Sequence, residues 1–260
     1  MIAHLRELYT YRSLLFAFVL RDYKARYKHT SLGIAWAIIQ PLFLMFVFTL
    51  VFSIFFKVNT GGVPYPVFSY VALLPWTFIS KAFSVSGQKF ISSRGLITKI
   101  YFPREIIPLS VVLSNLIDFG FGTLVFILMF IYYRIPLSPS LVFLLVLFPM
   151  QILLATGLSL LGSVLSALFR DLEFAMPLFI QIWMYASPVI YSVRNLQSRF
   201  HLFFYFNPVT GIIDGFRDAI ILGRVPDLRY LATSFVISVF IFFFGYWMFK
   251  RLEYVLVDIL

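Results

Sequence analysis

The sequence predicts an all-α integral membrane protein with six transmembrane helices, an N-terminal amphipathic interface helix, and two short re-entrant or gate helices between the fifth and sixth spans. Three observations carry the prediction. The chain is 61% hydrophobic and only 12% charged, where a soluble domain has about 25% charged residues. Its apolar residues fall in long uncharged runs, as in segments dissolved in a bilayer. Between the runs stand short turns that concentrate Gly, Pro and basic residues. One membrane domain over 1–260 is expected, because no stretch is polar enough for a separate soluble domain. The absence of cysteine excludes disulfides and thiolate metal sites. A net charge of +10 would suggest nucleic acid in a soluble protein. Here the basic residues sit beside apolar runs, so topology and anionic headgroups account for them and no nucleic-acid partner is expected.

Residues 3–20 read as the interface helix. Leu5, Leu8, Tyr9, Leu15, Phe16 and Val19 share one side, with Arg6, Glu7, Thr10 and Ser13 on the other. It is either a surface anchor or a lever touching a cytoplasmic partner. Arg21-Asp22-Tyr23-Lys24 follows it without a small-residue cleavage site, unlike a signal peptide. Residues 30–56 hold no charge and form the first span, kinked at Pro41. A Gly- and Pro-rich turn over 57–66 leads to the second span, 67–88, where Lys81 near the inner end reaches the interface with its ammonium. The third span is 106–133, with Asp118 inside it. The fourth is 141–169, where Gly157, Ser159, Gly162, Ser163 and Ser166 make a small-residue stripe suited to close helix contact. The charged turn Arg170-Asp171-Leu172-Glu173 precedes the fifth span, 174–193, broken by Pro177 and Pro188. Within 194–229, two amphipathic stretches, 196–206 and 209–222, meet at Asn207-Pro208; each is too short to span. In the second, Asp214 can pair with Arg217 at i,i+3. The sixth span, 230–249, ends on Lys250-Arg251.

Six spans put both ends on one side. The N-terminal segment carries six Lys or Arg, the 89–104 region four and the tail two, against Lys57 and Arg134 in the two short opposite turns. The positive-inside rule makes both termini cytoplasmic. Five basic residues in 194–229 count the other way, in a segment that is partly embedded by this reading.

The cytoplasmic loop over 89–105 is the most distinctive turn. Its stretch 93–108 is short, basic and bracketed by Pro103 and Pro108, which end one helix and suit the first turn of the next. A pre-shaped charged turn between membrane helices is a handle on which a water-soluble partner can push. Enzymatic chemistry has little footing. There is no Walker-type phosphate loop and no nucleophile elbow. His4, His29 and His201 are far apart, with no metal-ligand spacing. Asp118, an acid inside a span, is either a proton relay or a structural hydrogen-bonding group with Asn115 as neighbour. The 33 Phe, 15 Tyr and 4 Trp face lipid, pack as core, or offer flat platforms on which sugar rings stack. Trp36, Phe43, Phe46, Trp183 and Tyr185 are the positions singled out for that last role.

Four motifs together resemble the membrane subunits of ABC exporters for lipid-linked polysaccharides, O-antigen (Wzm type) in particular. They are Arg26-Tyr27-Lys28 with Leu32-Gly33, Trp36 and Pro41; Lys99-Ile100-Tyr101-Phe102-Pro103-Arg104-Glu105-Ile106-Ile107-Pro108; Phe169-Arg170-Asp171 followed by Ser187-Pro188-Val189-Ile190-Tyr191; and Asn207-Pro208 with Arg217. The resemblance implies a homodimer with a channel between protomers and two copies of a separate ATPase, which would hold ATP and Mg; this chain would hold no cofactor. By the same analogy Arg94, Lys99, Tyr101, Phe102, Arg104 and Glu105 couple to the ATPase. Leu32-Gly33 gates the cytoplasmic mouth, where Arg26 and Lys28, with Arg94 or Lys99, attract the lipid diphosphate unless they serve topology or ATPase contact. Asn207, Pro208, Asp214 and Arg217 belong to the outer gate. A bacterial inner membrane location follows. Alternatives are a teichoic acid or capsule exporter, an ABC exporter of a small drug or lipid, a proton-coupled secondary transporter, and a membrane enzyme acting on lipid-linked sugars. The last two lack, respectively, paired broken helices and paired acids.

Overall fold

The computed structural model describes residues 7–28, 30–195 and 197–259. Residues 3–6 of the expected interface helix, together with His29 and Leu196, lie outside the described residues. Those that are described form helices joined by turns, with no strand among them. Helix α1 spans Arg12–Tyr27, so it continues past the expected end at residue 20. The charges that suggested a stop are tolerated because Asp22 turns inward and accepts contacts from Lys89 (2.6 Å) and Ser110 (3.0 Å). The buried side of α1 also differs from the expected one. Phe18 and Val19 are buried and Leu8, Tyr11, Leu14 and Leu15 pack beside them, while Tyr9 and Phe16 are exposed.

The first span opens with a tight turn at Gly33–Ala35. Gly33 has φ +55°, a conformation that side chains with a Cβ resist. Helix α2, Trp36–Phe48, passes through Pro41 and widens into a π-helix over Thr49–Phe55. Helix α3, Tyr65–Ser92, is the central post. It begins two residues before expectation and ends four after, because Pro64 and Pro66 suit a helix start and Lys89 lies on a helical turn pinned by Asp22. Some 83% of the most apolar part of α3 is buried, against 11% for the first span. After a single turn, α4 (Arg94–Ile97), helix α5 runs Ile106–Tyr132 with Pro108 in its first turn. A short turn at Pro139–Phe143 enters α6, Leu144–Leu168.

The small residues of α6 are used on three sides. A Cβ on Gly157 would lie 2.7 Å from the backbone of Phe242, and one on Gly162 would lie 2.6 Å from the Phe83 carbonyl. Ser159 donates to the Pro108 carbonyl (2.9 Å) and Ser163 to that of Ser86 (3.3 Å). Helix α7 covers Leu172–Tyr185 only. Fourteen residues reach about 21 Å, short of a hydrocarbon core of about 30 Å. The rest of the expected fifth span is the turn through Pro188. Helices α8 (Ser198–Tyr205) and α9 (Pro208–Ile220) follow. The last helix, α10, runs Leu228–Ile259, well past the expected end at residue 249. Among the described residues five helical segments are thus long and apolar enough to cross a bilayer, and the chain is a multi-pass membrane protein.

Candidate functional site

Three constellations hold the chemistry-bearing side chains. The first is the loop between α3 and α5. Its anchors are buried: Ser93, Ile97, Phe102 and Glu105. The Phe102 ring lies 5.7 Å from that of Phe18 on α1. Glu105 pairs with Lys250 of α10 at 2.5 Å, and Arg104 donates to the Glu253 carbonyl at 2.6 Å. Tyr101 donates to Glu7 at 3.3 Å. Between these anchors Arg94, Lys99, Ile100 and Tyr101 face outward, Tyr101 being 78% exposed. Of the six residues assigned to coupling, three form an outward tip and three fasten it to α1 and α10.

The second is the turn after α7. A break in a helix leaves carbonyls without intrahelical partners, and where they are buried water cannot meet them. Here they are met. Arg217 on α9 is fully buried and donates to the carbonyls of Pro188, Val189 (2.6 Å) and Tyr191 (2.8 Å), and to that of Phe68 (3.4 Å). Its guanidinium stacks 3.8 Å from the Phe68 ring centre and pairs with Asp214 at 3.3 Å. Tyr65 donates to the Ile190 carbonyl (3.0 Å). Asn207 donates to Ser187 (2.8 Å) and to the Ala186 carbonyl (3.3 Å), and accepts from Trp183 (3.2 Å) and from the Val209 amide (3.1 Å), capping α9. Burial pushes the Asp214 carboxyl up to about 6, against the opposing pull of Arg217. Next to it, Asp218 sits between Arg194 (2.6 Å) and Arg224 (2.8 Å). The i,i+3 pair was visible in the sequence; the carbonyl clamp was not.

The third is a polar cleft bounded by the end of α1, the start of α2 and the middle of α3 and α5. Arg26 forms an ion pair with Asp118, and the same guanidinium donates to Asn115 (3.0 Å) and Ser114 (3.4 Å). Tyr27 donates to Asp118 at 2.9 Å. Burial, then the Asp118 charge, pushes the Tyr27 hydroxyl up, so it stays a donor. Asp118 is therefore the counter-ion of Arg26. Asn115 shares that arginine rather than pairing with the acid. Sequence reasoning named both Arg26 and Asp118 but had no signal joining them across 92 residues. Lys28 and Leu32 are exposed beside this cleft. Among the aromatic positions, Trp36, Phe43, Phe46 and Tyr185 are exposed. Trp183 is half-buried, 5.3 Å from Trp76, with its indole N–H spent on Asn207. Phe174, Leu178 and Ile182, exposed on α7, were not anticipated.

Residues 13–221 match the model of the ABC-2 type transporter family. The O-antigen export system permease protein RfbA of Myxococcus xanthus is 32% identical over 246 residues, 92% of each chain. A Klebsiella pneumoniae protein of the same name is 28% identical, again over 92% of each. The polysialic acid transport protein KpsM of Escherichia coli is 21% identical over 86% of this chain and 89% of its own.

Proposed function

As a member of the ABC-2 type transporter family, this chain is the membrane-spanning subunit of an ABC exporter, and we propose that it moves a lipid-linked polysaccharide of the O-antigen kind from the cytoplasmic to the outer face of a bacterial inner membrane, in the service of lipopolysaccharide assembly. The observation that carries the proposal is near full-length similarity to an O-antigen permease. The geometry supports it. The outward aromatic faces of α2 and α7, with Phe43, Phe46 and Phe174 uncovered, suit a second copy of the chain and a path between the two. Trp36, Phe43, Phe46 and Tyr185 line that path. Helix α7 and the turn to Val193 complete a sixth crossing, possible because Arg217, Asn207 and Tyr65 satisfy the broken backbone. Helices α8 and α9 close the outer mouth, both termini are cytoplasmic, and the 93–105 tip takes the push of a separate ATPase.

A capsule-type cargo is the second reading, favoured by the similarity to KpsM. A proton-driven transporter is disfavoured because Arg26 and Tyr27 already engage both oxygens of Asp118. The test uses vesicles holding this chain and its ATPase. Lipid-linked glycan becomes accessible on the far side only with hydrolysable ATP. Export without an ATPase, driven by an ion gradient, would overturn the proposal.

A further inference from the structure

A cavity of about 230 Å³ lies between the last turns of α3, the end of α6 and the first turns of α7. Its polar lining is Ser84 and Gln88 on α3, Ser166 on α6 and Glu173 on α7, and Met176 and Pro177 give it an apolar wall. Ser166 is the telling member, because it is only 8% exposed. The other serines of α6, Ser159 and Ser163, donate to backbone carbonyls, but the Ser166 hydroxyl has no hydrogen-bond partner among the described residues. Gly87 makes room for it, since a Cβ there would collide with that hydroxyl. The Ser84 hydroxyl is likewise unspent. A buried hydroxyl without a partner costs free energy, so one held at the wall of a cavity points to a ligand that completes it. Gln88 donates to Glu173 at 3.2 Å, and both are exposed. That contact orients the pair and leaves the amide oxygen, the second amide hydrogen and the other carboxylate oxygen available.

The lining thus offers donors and acceptors together, with one carboxylate and no cation. Neighbouring hydroxyls of a sugar each donate and accept. A carboxylate, an amide and two hydroxyls can meet a pair of them while Met176 and Pro177 take the C–H face of the ring. A phosphate or an acidic sugar would face the Glu173 charge with no counter-ion in the lining. Drug-sized sites run to about 300–1,000 Å³, so this smaller space suits one ring. The cavity lies where α3 and α6 end, at the foot of the exposed α7 face that carries Phe174 and Leu178. We propose that it is a subsite for one neutral, hydroxyl-rich sugar unit of the cargo, with Glu173 as its charged acceptor and Ser166 as the buried group that reads one hydroxyl. The assignment rests on the export reading above. It adds where the glycan is first gripped and which glycans are refused, namely those whose units are acidic.

The test uses the complex with its ATPase in lipid nanodiscs, without nucleotide, so it does not depend on export. The probes are the methyl glycosides of glucose, mannose, galactose and N-acetylglucosamine, with that of N-acetylneuraminic acid as the acidic one, read by saturation-transfer NMR. At least one neutral glycoside should bind, and the acidic one should not. Glu173→Gln is expected to lower that binding by about tenfold, the loss of one charge-assisted contact. Ser166→Ala should lower it by about threefold and leave the thermal midpoint where it is, because the hydroxyl supports nothing in the fold. The chain has no cysteine, so Ser84→Cys puts a single thiol at the cavity. The neutral glycoside should slow maleimide labelling there and not at Val225→Cys, an exposed position at the opposite end. Labelling of Ser84→Cys indifferent to every neutral glycoside, or binding indifferent to Glu173→Gln and Ser166→Ala, overturns the subsite. Equal binding of the acidic glycoside overturns the neutral assignment. A midpoint that falls along with binding in Ser166→Ala gives that hydroxyl to the fold and overturns its role as a reader. Intact glycoside protection with no ATP-driven export of lipid-linked glycan overturns the export reading alone.

Discussion

Two arginines are drawn into this membrane domain, and they are held in opposite ways. Arg217 spends its guanidinium on backbone carbonyls, chiefly those of one turn with that of Phe68 on α3 added, and has Asp214 only as a side partner. Arg26 spends its own on a single carboxylate from another helix, with two neutral side chains assisting. The first arrangement repairs a broken backbone and has no neutral substitute, because the carbonyls remain whatever replaces the arginine. The second balances one charge against one charge, and both can be removed together. A buried cation that serves backbone is thus part of the scaffold, while one that serves a carboxylate is a joint between helices.

The largest expected effect tests the scaffold side. Arg217→Ala leaves several buried carbonyls unmet and should cost about 3–5 kcal/mol, enough to abolish recovery of folded protein by size-exclusion chromatography. No single change at Asp214 should approach it. On the joint side, Asp118→Asn should cost about 2 kcal/mol, less because Arg26 is partly exposed and water can reach it. The double change Arg26→Gln with Asp118→Asn should recover most of that loss in the thermal midpoint. A double variant no better than the worse single one would erase the contrast between the two arginines. Smaller again, Gly33→Ala should cost about 1 kcal/mol through its positive φ, read as a lowered midpoint.

The exposed tip sharpens the comparison from outside. Lys99→Ala with Tyr101→Ala should leave the midpoint nearly unchanged while lowering ATP-driven export. Glu105→Gln should lower both, since it replaces the 2.5 Å ion pair that fastens the loop to α10 and leaves Lys250 with Glu253 at 3.1 Å. The smallest effect is a pH slope. The folded state holds the Asp214 proton more tightly than the unfolded chain, so stability should rise as pH falls from about 6 toward the ordinary carboxylate range. Asp214→Asn should flatten that slope in thermal scans.

Much of this was legible from composition and pattern. The long apolar runs marked the five long helices, and Asn207-Pro208 marked the start of α9. Pro188 announced a break, but not that α7 would stop at Tyr185. The cause lies in the partners of the turn, which are backbone atoms and carry no side-chain signature. Arg217 reaches them from 26 to 29 positions away and reaches the Phe68 carbonyl from 149. Asp118 was recognised as unusual, yet pattern within one helix could offer only Asn115 as its neighbour. The continuation of α1 was hidden for a related reason. Asp22 reads as an exposed charge until Lys89 and Ser110 are brought to it.

The glycine seam between α6 and α10 has a mechanical side. Gly157 faces the backbone of Phe242, and a Cβ on Gly245 would lie 2.6 Å from the Gly157 carbonyl, so the two backbones lie against each other with no side chain to act as a spring. A seam of that kind transmits displacement instead of absorbing it. The far end of α10 holds Glu105 through Lys250. A shove on the exposed tip of that loop is then shared at once by two of the longest helices, which behave as a stiff chassis. The first span and α7, with little buried surface, are left as the panels that such a chassis can swing.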